Sequence, residues 1–100
     1  MPNFTFKKIK HEGRYASFER DQTTIKFQKK ECGYMTEDRL GVEWVIRFAI
    51  KKEKTKEDPA PFRWIRLKAR FNTEKEVREW LKNVKDKIFE RYDLYFFEDN

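Results

Sequence analysis

The residues with the clearest chemical possibilities are cations placed at alternate positions among aromatic and apolar side chains. In Phe62–Phe71, FRWIRLKARF, Trp64, Arg66, Lys68 and Arg70 alternate with Ile65, Leu67, Ala69 and Phe71. In GVEWVIRFAIKK, residues 41–52, Glu43, Val45, Arg47, Ala49 and Lys51 share one side, opposite Val42, Trp44, Ile46, Phe48 and Ile50. In TTIKFQKK, residues 23–30, Thr24, Lys26, Gln28 and Lys30 alternate with Ile25 and Phe27. Guanidinium and ammonium groups meet phosphates through a salt-sensitive attraction. An indole or phenol ring offers a flat surface on which an unpaired base stacks. The expected nucleic-acid contacts are therefore Lys26, Lys30, Arg47, Lys51, Trp64, Arg66, Lys68 and Arg70. A flat sheet face suits unpaired bases better than a duplex groove, which usually takes a helix or ribbon. The competing reading is that these cations are ordinary solvated surface and that Trp64 lies under the tail or in a dimer interface.

Catalytic constellations are missing from the sequence. His11 is the single histidine, so no histidine pair offers itself to a metal and no histidine-based triad forms within the chain. Cys32 is the one cysteine, with no base beside it in sequence. The acidic pairs Glu37-Asp38 and Glu57-Asp58 sit in polar stretches, where solvated charge is the simpler account. Gly13, Gly33 and Gly41 are isolated, so there is no phosphate-cradling loop. The expectation is a non-enzyme with no cofactor and no metal.

Composition supports a binding role. The chain has 100 residues and a net charge of +6, from 24 basic and 18 acidic side chains. That balance favours an anionic partner, nucleic acid before an anionic membrane surface. Charged residues make up 42% and aromatic residues 17%, and the aromatic share argues against disorder. A lone cysteine allows no intrachain disulfide and fits a reducing compartment. No apolar run approaches the roughly 18 residues of a membrane span, and MPNFTFKKIK lacks the apolar core of a signal peptide. The expected setting is intracellular, cytoplasmic or nuclear, with no integral membrane segment.

The elements that must position these residues read as one domain, residues 1–100. Strands are expected within about 4–71: around Phe4–Phe6, at 14–20 (RYASFER), at 23–30, at 42–52 and at 62–71. Asp21-Gln22 is a turn candidate, and Cys32–Leu40 reads as polar and turn-like, with Tyr34-Met35 a possible strand extension. EKTKEDPAP, 53–61, is the clearest loop, because Pro59 and Pro61 deny backbone donors. A helix is expected over about 73–92. Thr73 with Glu76 forms a capping box, with Asn72 the alternative cap, and Val77, Trp80, Leu81, Val84, Ile88 and Tyr92 make an apolar stripe. The fold class is α+β: an antiparallel sheet of four to five strands, then one long amphipathic helix on one face. The tail, DLYFFEDN, either folds Leu94, Phe96 and Phe97 back over apolar surface or presents them as an acidic aromatic hook for a protein partner.

The sequence resembles the positive-cofactor-four type of transcriptional coactivator and its single-strand-binding relatives. The likeness rests on Arg14-Tyr15-Ala16-Ser17 with Arg20-Asp21, and on Ile65-Arg66-Leu67 followed by Asn72, Glu74, Trp80, Leu81 and Lys82. It implies a homodimer with curved sheets, a role accessory to transcription or replication, and contacts to single-stranded DNA or RNA from Tyr15, Lys26, Trp64 and Arg66. Two other readings stand beside it. One is a protein-interaction module, for instance a virus-encoded inhibitor of a host protein. The other is a pleckstrin-homology-like binder of phosphoinositides or peptides, since those domains also end in an amphipathic helix bearing a Trp, as Glu79-Trp80-Leu81 would here.

Overall fold

The computed structural model describes residues 2–9, 22–37 and 43–97. The expected strand at 14–20, with Tyr15, lies outside them. Five strands, β1 (Phe4–Ile9), β2 (Gln22–Phe27), β3 (Lys30–Glu37), β4 (Trp44–Lys51) and β5 (Phe62–Phe71), precede one helix, α1 (Glu74–Arg91). The strands form an antiparallel sheet in the order β1-β2-β3-β4-β5, so the α+β architecture expected from the sequence is present. α1 is not long and apolar enough to cross a membrane.

β4 lies between β3 and β5 and alternates as its sequence requires. Ile46 and Phe48 are fully buried toward the helix, with Trp44 and Ile50 packed at the margins of that core. α1 lays Val77, Leu81 and Ile88 on this side. Its start is fixed by the capping box: the Glu76 N–H donates to Thr73 Oγ1 at 3.2 Å. The Glu76 carboxylate in turn accepts from the Asn72 N–H at 3.2 Å, one residue before the cap. Phe89, outside the predicted stripe, stacks on Phe4 with ring centroids 5.7 Å apart and meets Phe27 at 4.8 Å. These rings close the core over β1 and β2.

The β2–β3 hairpin corrects the reading of residues 23–37, and residues 38–40 lie outside the described residues. β2 ends at Phe27, and Gln28 and Lys29 turn the chain with φ of 50° and 70°. Positive φ at both central residues is the geometry that two-residue hairpins favour, because its twist matches that of the strands. Gln-Lys lacks the Asn or Gly that normally marks such a turn, so the alternation of β2 runs on unbroken through the turn into Lys30. Residues 32–37, read as turn-like apart from a possible extension at Tyr34-Met35, belong to the strand Lys30–Glu37. Its own alternation is broken by a bulge. Ile25 pairs with Gly33 and Lys26 with Glu31, leaving Cys32 as the extra residue. Gly33 is required there, because a Cβ would lie 2.4 Å from the Arg47 carbonyl oxygen and 2.7 Å from the Phe48 ring.

The tail is built into the sheet. The β3–β4 pairing ends at Gly33 and Phe48. Beyond it, residues 93–97 enter the gap between the strands. The Lys51 N–H donates to the Asp93 carbonyl at 2.8 Å, and the Tyr95 N–H donates to the Ala49 carbonyl at 2.9 Å. The Phe97 N–H then donates to the Glu31 carbonyl at 2.9 Å. Side chains alternate as in a strand. Leu94 is buried in the core and Phe96 packs against it, while Tyr95 and Phe97 emerge on the opposite face. The fold-back reading of Leu94, Phe96 and Phe97 thus describes their place.

Leu94→Ala is expected to destabilise the protein by about 2–5 kcal/mol, the usual cost of truncating a fully buried leucine. Urea denaturation should show a lower midpoint with an unchanged slope. A change under about 0.5 kcal/mol, the range of surface substitutions, would mean that the inserted tail is not part of the cooperative fold.

Candidate functional site

The sheet face away from α1 carries the cations that sequence reasoning selected, and the strand register sets them side by side. Tyr34 of β3 pairs with Arg47 of β4, and Arg47 with Arg66 of β5. Lys7 and Thr24 continue this row across β1 and β2. On one side of the row, Ala49 pairs with Trp64; on the other, Val45 pairs with Arg70. Direct cross-strand neighbours share a face, so Arg47, Trp64, Arg66 and Arg70 form one patch, and exposed Lys68 alternates with them.

Arg47 and Arg66 make no ion pair with any described residue. Like charges directly opposite one another destabilise a sheet. Their juxtaposition is therefore a small standing cost that an anion would relieve. The other cations differ. Arg70 pairs with Glu43 at 2.6 Å. Lys51 meets Asp93 at 3.5 Å in an exposed contact of little energetic weight. Lys26 stands on the same face, opposite Thr5 and Glu31. Lys30 opens β3 opposite Phe27, whose ring packs toward the helix, so Lys30 is separated from the patch. Tyr15 lies outside the described residues.

Beside the arginines lies an aromatic platform that the sequence reading largely missed. Trp64 remains 43% exposed. Tyr34 meets its ring edge-on at 5.1 Å, and Phe97 stacks on it at 5.8 Å with planes 24° apart. Phe62 stacks on Tyr95 at 5.0 Å. The period of two in Leu94-Tyr95-Phe96-Phe97 is the signal that would have placed these tail rings, and Tyr34 follows once β3 is recognised as a strand. Between platform and sheet is a cavity of about 240 Å³, lined by Gln22, Thr24, Glu31, Gly33, Tyr34, Trp64 and Phe97.

Cys32 is fully buried on the core side, with Sγ 3.7 Å from the Ile25 carbonyl oxygen. Burial pushes its thiol up to about 12, away from the thiolate that nucleophilic chemistry needs. Compared with protein-family models, with curated proteins and with solved structures, the chain matches none.

Two outcomes follow from these charges. Arg66→Gln should stabilise the fold by roughly 0.2–1 kcal/mol at low salt, with the gain shrinking as salt screens the pair. Destabilisation at every salt concentration would contradict an unrelieved repulsion. Cys32 should resist an aromatic disulfide reagent at pH 8 until the protein is unfolded. The folded thiol keeps its proton, while the unfolded thiol, with a reference value of 9.0, is ionised to about a tenth at pH 8 and reacts through that thiolate. The stabilisation from Cys32 is therefore complete below pH 9.0 and is lost as pH rises toward about 12. The slope is at most about 1.4 kcal/mol per pH unit. Rapid labelling of the native protein would contradict the buried placement.

Proposed function

We propose that this protein binds single-stranded nucleic acid without catalysis, through the sheet face that carries Arg47, Arg66, Lys68 and Trp64. The observation that supports this reading most is the pairing of Arg47 with Arg66, two adjacent cations without a carboxylate partner among the described residues, beside the half-exposed Trp64. Phosphates supply the anion that the arginine pair lacks, and unpaired bases supply the flat faces that Trp64 can stack. A duplex hides its base faces in the stack and shows base edges only within grooves that a flat sheet does not enter, so single strands are preferred. Lys26 and Lys51 extend the charge along the same face, on the side of the cavity and the tail.

The positive-cofactor-four likeness belongs to the same proposal, including a second copy of the chain. Such a copy would meet a guarded edge at β5, the outermost strand on its side among the described residues. Exposed Arg63, Arg66, Lys68 and Arg70 discourage strand addition there. A protein-interaction module is the rival class, and salt separates the two. Nucleic acid gives a steep linear fall of log affinity with log salt, whereas a protein partner held by aromatic anchors depends on salt less.

Fluorescence anisotropy of labelled single-stranded DNA, single-stranded RNA and duplex, at several salt concentrations, tests the proposal. Single strands should bind more tightly than duplex, with a log–log slope of about −0.7 for each phosphate met. Arg47→Gln or Arg66→Gln should make the slope shallower by about that amount. Trp64→Ala should weaken binding by roughly 1–3 kcal/mol and leave the slope unchanged. Absence of binding at low salt, or binding indifferent to all three substitutions, would overturn the assignment.

A further inference from the structure

The cavity beside Trp64 has a chemistry unlike that of the face around it. Its walls are rings, with Trp64 stacked on Phe97 and meeting Tyr34 edge-on. Its polar lining is Gln22, Thr24 and Glu31. Glu31 is half-buried and makes no ion pair with any described residue, although Lys26 stands directly opposite it in the register. A carboxylate kept free in the middle of a basic face serves a ligand better than it serves the fold. At about 240 Å³ the cavity lies below the roughly 300–1,000 Å³ of drug-sized sites, which suits one ring system and not a longer ligand.

We propose that this cavity takes a single guanine base of a bound strand, with Glu31 as the residue that selects it. This rests on the binding reading given above. An ionised carboxylate is an acceptor only, with two oxygens. Guanine is the base whose Watson–Crick edge presents two adjacent donors, N1–H and the N2 amine, so it meets both oxygens of Glu31 at once. Uracil and thymine flank their single N–H with carbonyls, which the carboxylate repels. Adenine and cytosine offer one donor group beside an unprotonated ring nitrogen. The rings of Trp64, Tyr34 and Phe97 give the apolar wall against which the base lies, and the Gln22 amide and Thr24 hydroxyl can donate to the O6 side. An ammonium ligand, for which aromatic rings with a carboxylate are also suited, is opposed by Arg47 and Arg66, which share the cross-strand row of the lining residues Thr24 and Tyr34.

The test is anisotropy with labelled oligothymidine carrying one central dG, dA, dC, dT or deoxyinosine, for the wild type and for Glu31→Gln. Circular dichroism confirms that both are folded. The wild type should prefer the dG strand over the dT strand by about tenfold, as expected for a good bidentate base contact. Deoxyinosine, which lacks the N2 amine, should lose most of that preference. Glu31→Gln should abolish the preference, so that the dG and dT strands bind it alike. Tight oligothymidine binding with no preference for dG, or a preference for dC, would overturn the guanine assignment and leave the binding reading intact. Failure to bind any of the strands would overturn both. Glu31-dependent binding of a trimethyl-lysine peptide, in place of the dG preference, would assign the cavity to an ammonium ligand.

Discussion

Two backbone groups of β4 govern the rest of this molecule. The β3–β4 pairing stops at Gly33, next to the bulge at Cys32, and β3 does not pair with the end of β4. The Ala49 carbonyl and the Lys51 N–H would then lack partners, and such groups are costly to leave unpaired within a sheet. The tail supplies both bonds, through Tyr95 and Asp93. The same passage drives Leu94 into the core and carries Phe97 out over Trp64. The end of the β3–β4 pairing thus decides how the core is closed and what the opposite face looks like.

The face has two parts because of that passage. Where β4 pairs with both β3 and β5, the register aligns Tyr34, Arg47 and Arg66 beside a shift in the β4–β5 register between Val45 and Arg47, and charge dominates. Where the sheet divides, the tail brings rings, and a cavity forms with Glu31 in its wall. A strand of nucleic acid needs both kinds of surface, phosphate contact and base contact. Their adjacency follows from the backbone, and it would be lost if the tail were docked elsewhere.

Much of the architecture was legible because the sequence obeys simple periods. The alternation from Trp44 to Lys51 and from Phe62 to Phe71, and the Thr73–Glu76 cap before an apolar stripe, each describe an element that formed near the expected bounds. Arg47, Trp64, Arg66, Lys68 and Arg70 were found on one face for the same reason. What escaped were departures from period. Gln28-Lys29 turns without glycine, and the Cys32 bulge puts consecutive Cys32 and Gly33 both in the buried class, so β3 reads as irregular. Lys30 was misplaced with it. The places of Tyr34, Glu31 and Phe97 beside Trp64 escaped because they depend on long-range pairing, which local alternation does not encode. Phe89 joined the core from outside the helical stripe because Phe4 and Phe27 reach over to meet it.

The most direct test of the central claim is a contact map. A single-stranded oligonucleotide carrying 5-iodouracil, photocrosslinked to the protein and mapped by mass spectrometry, reports which rings the bases touch. Crosslinks are predicted at the exposed ring of Trp64, with none on α1. Crosslinks concentrated on α1 or on residues 53–61, with Trp64 unmodified, would contradict the claim.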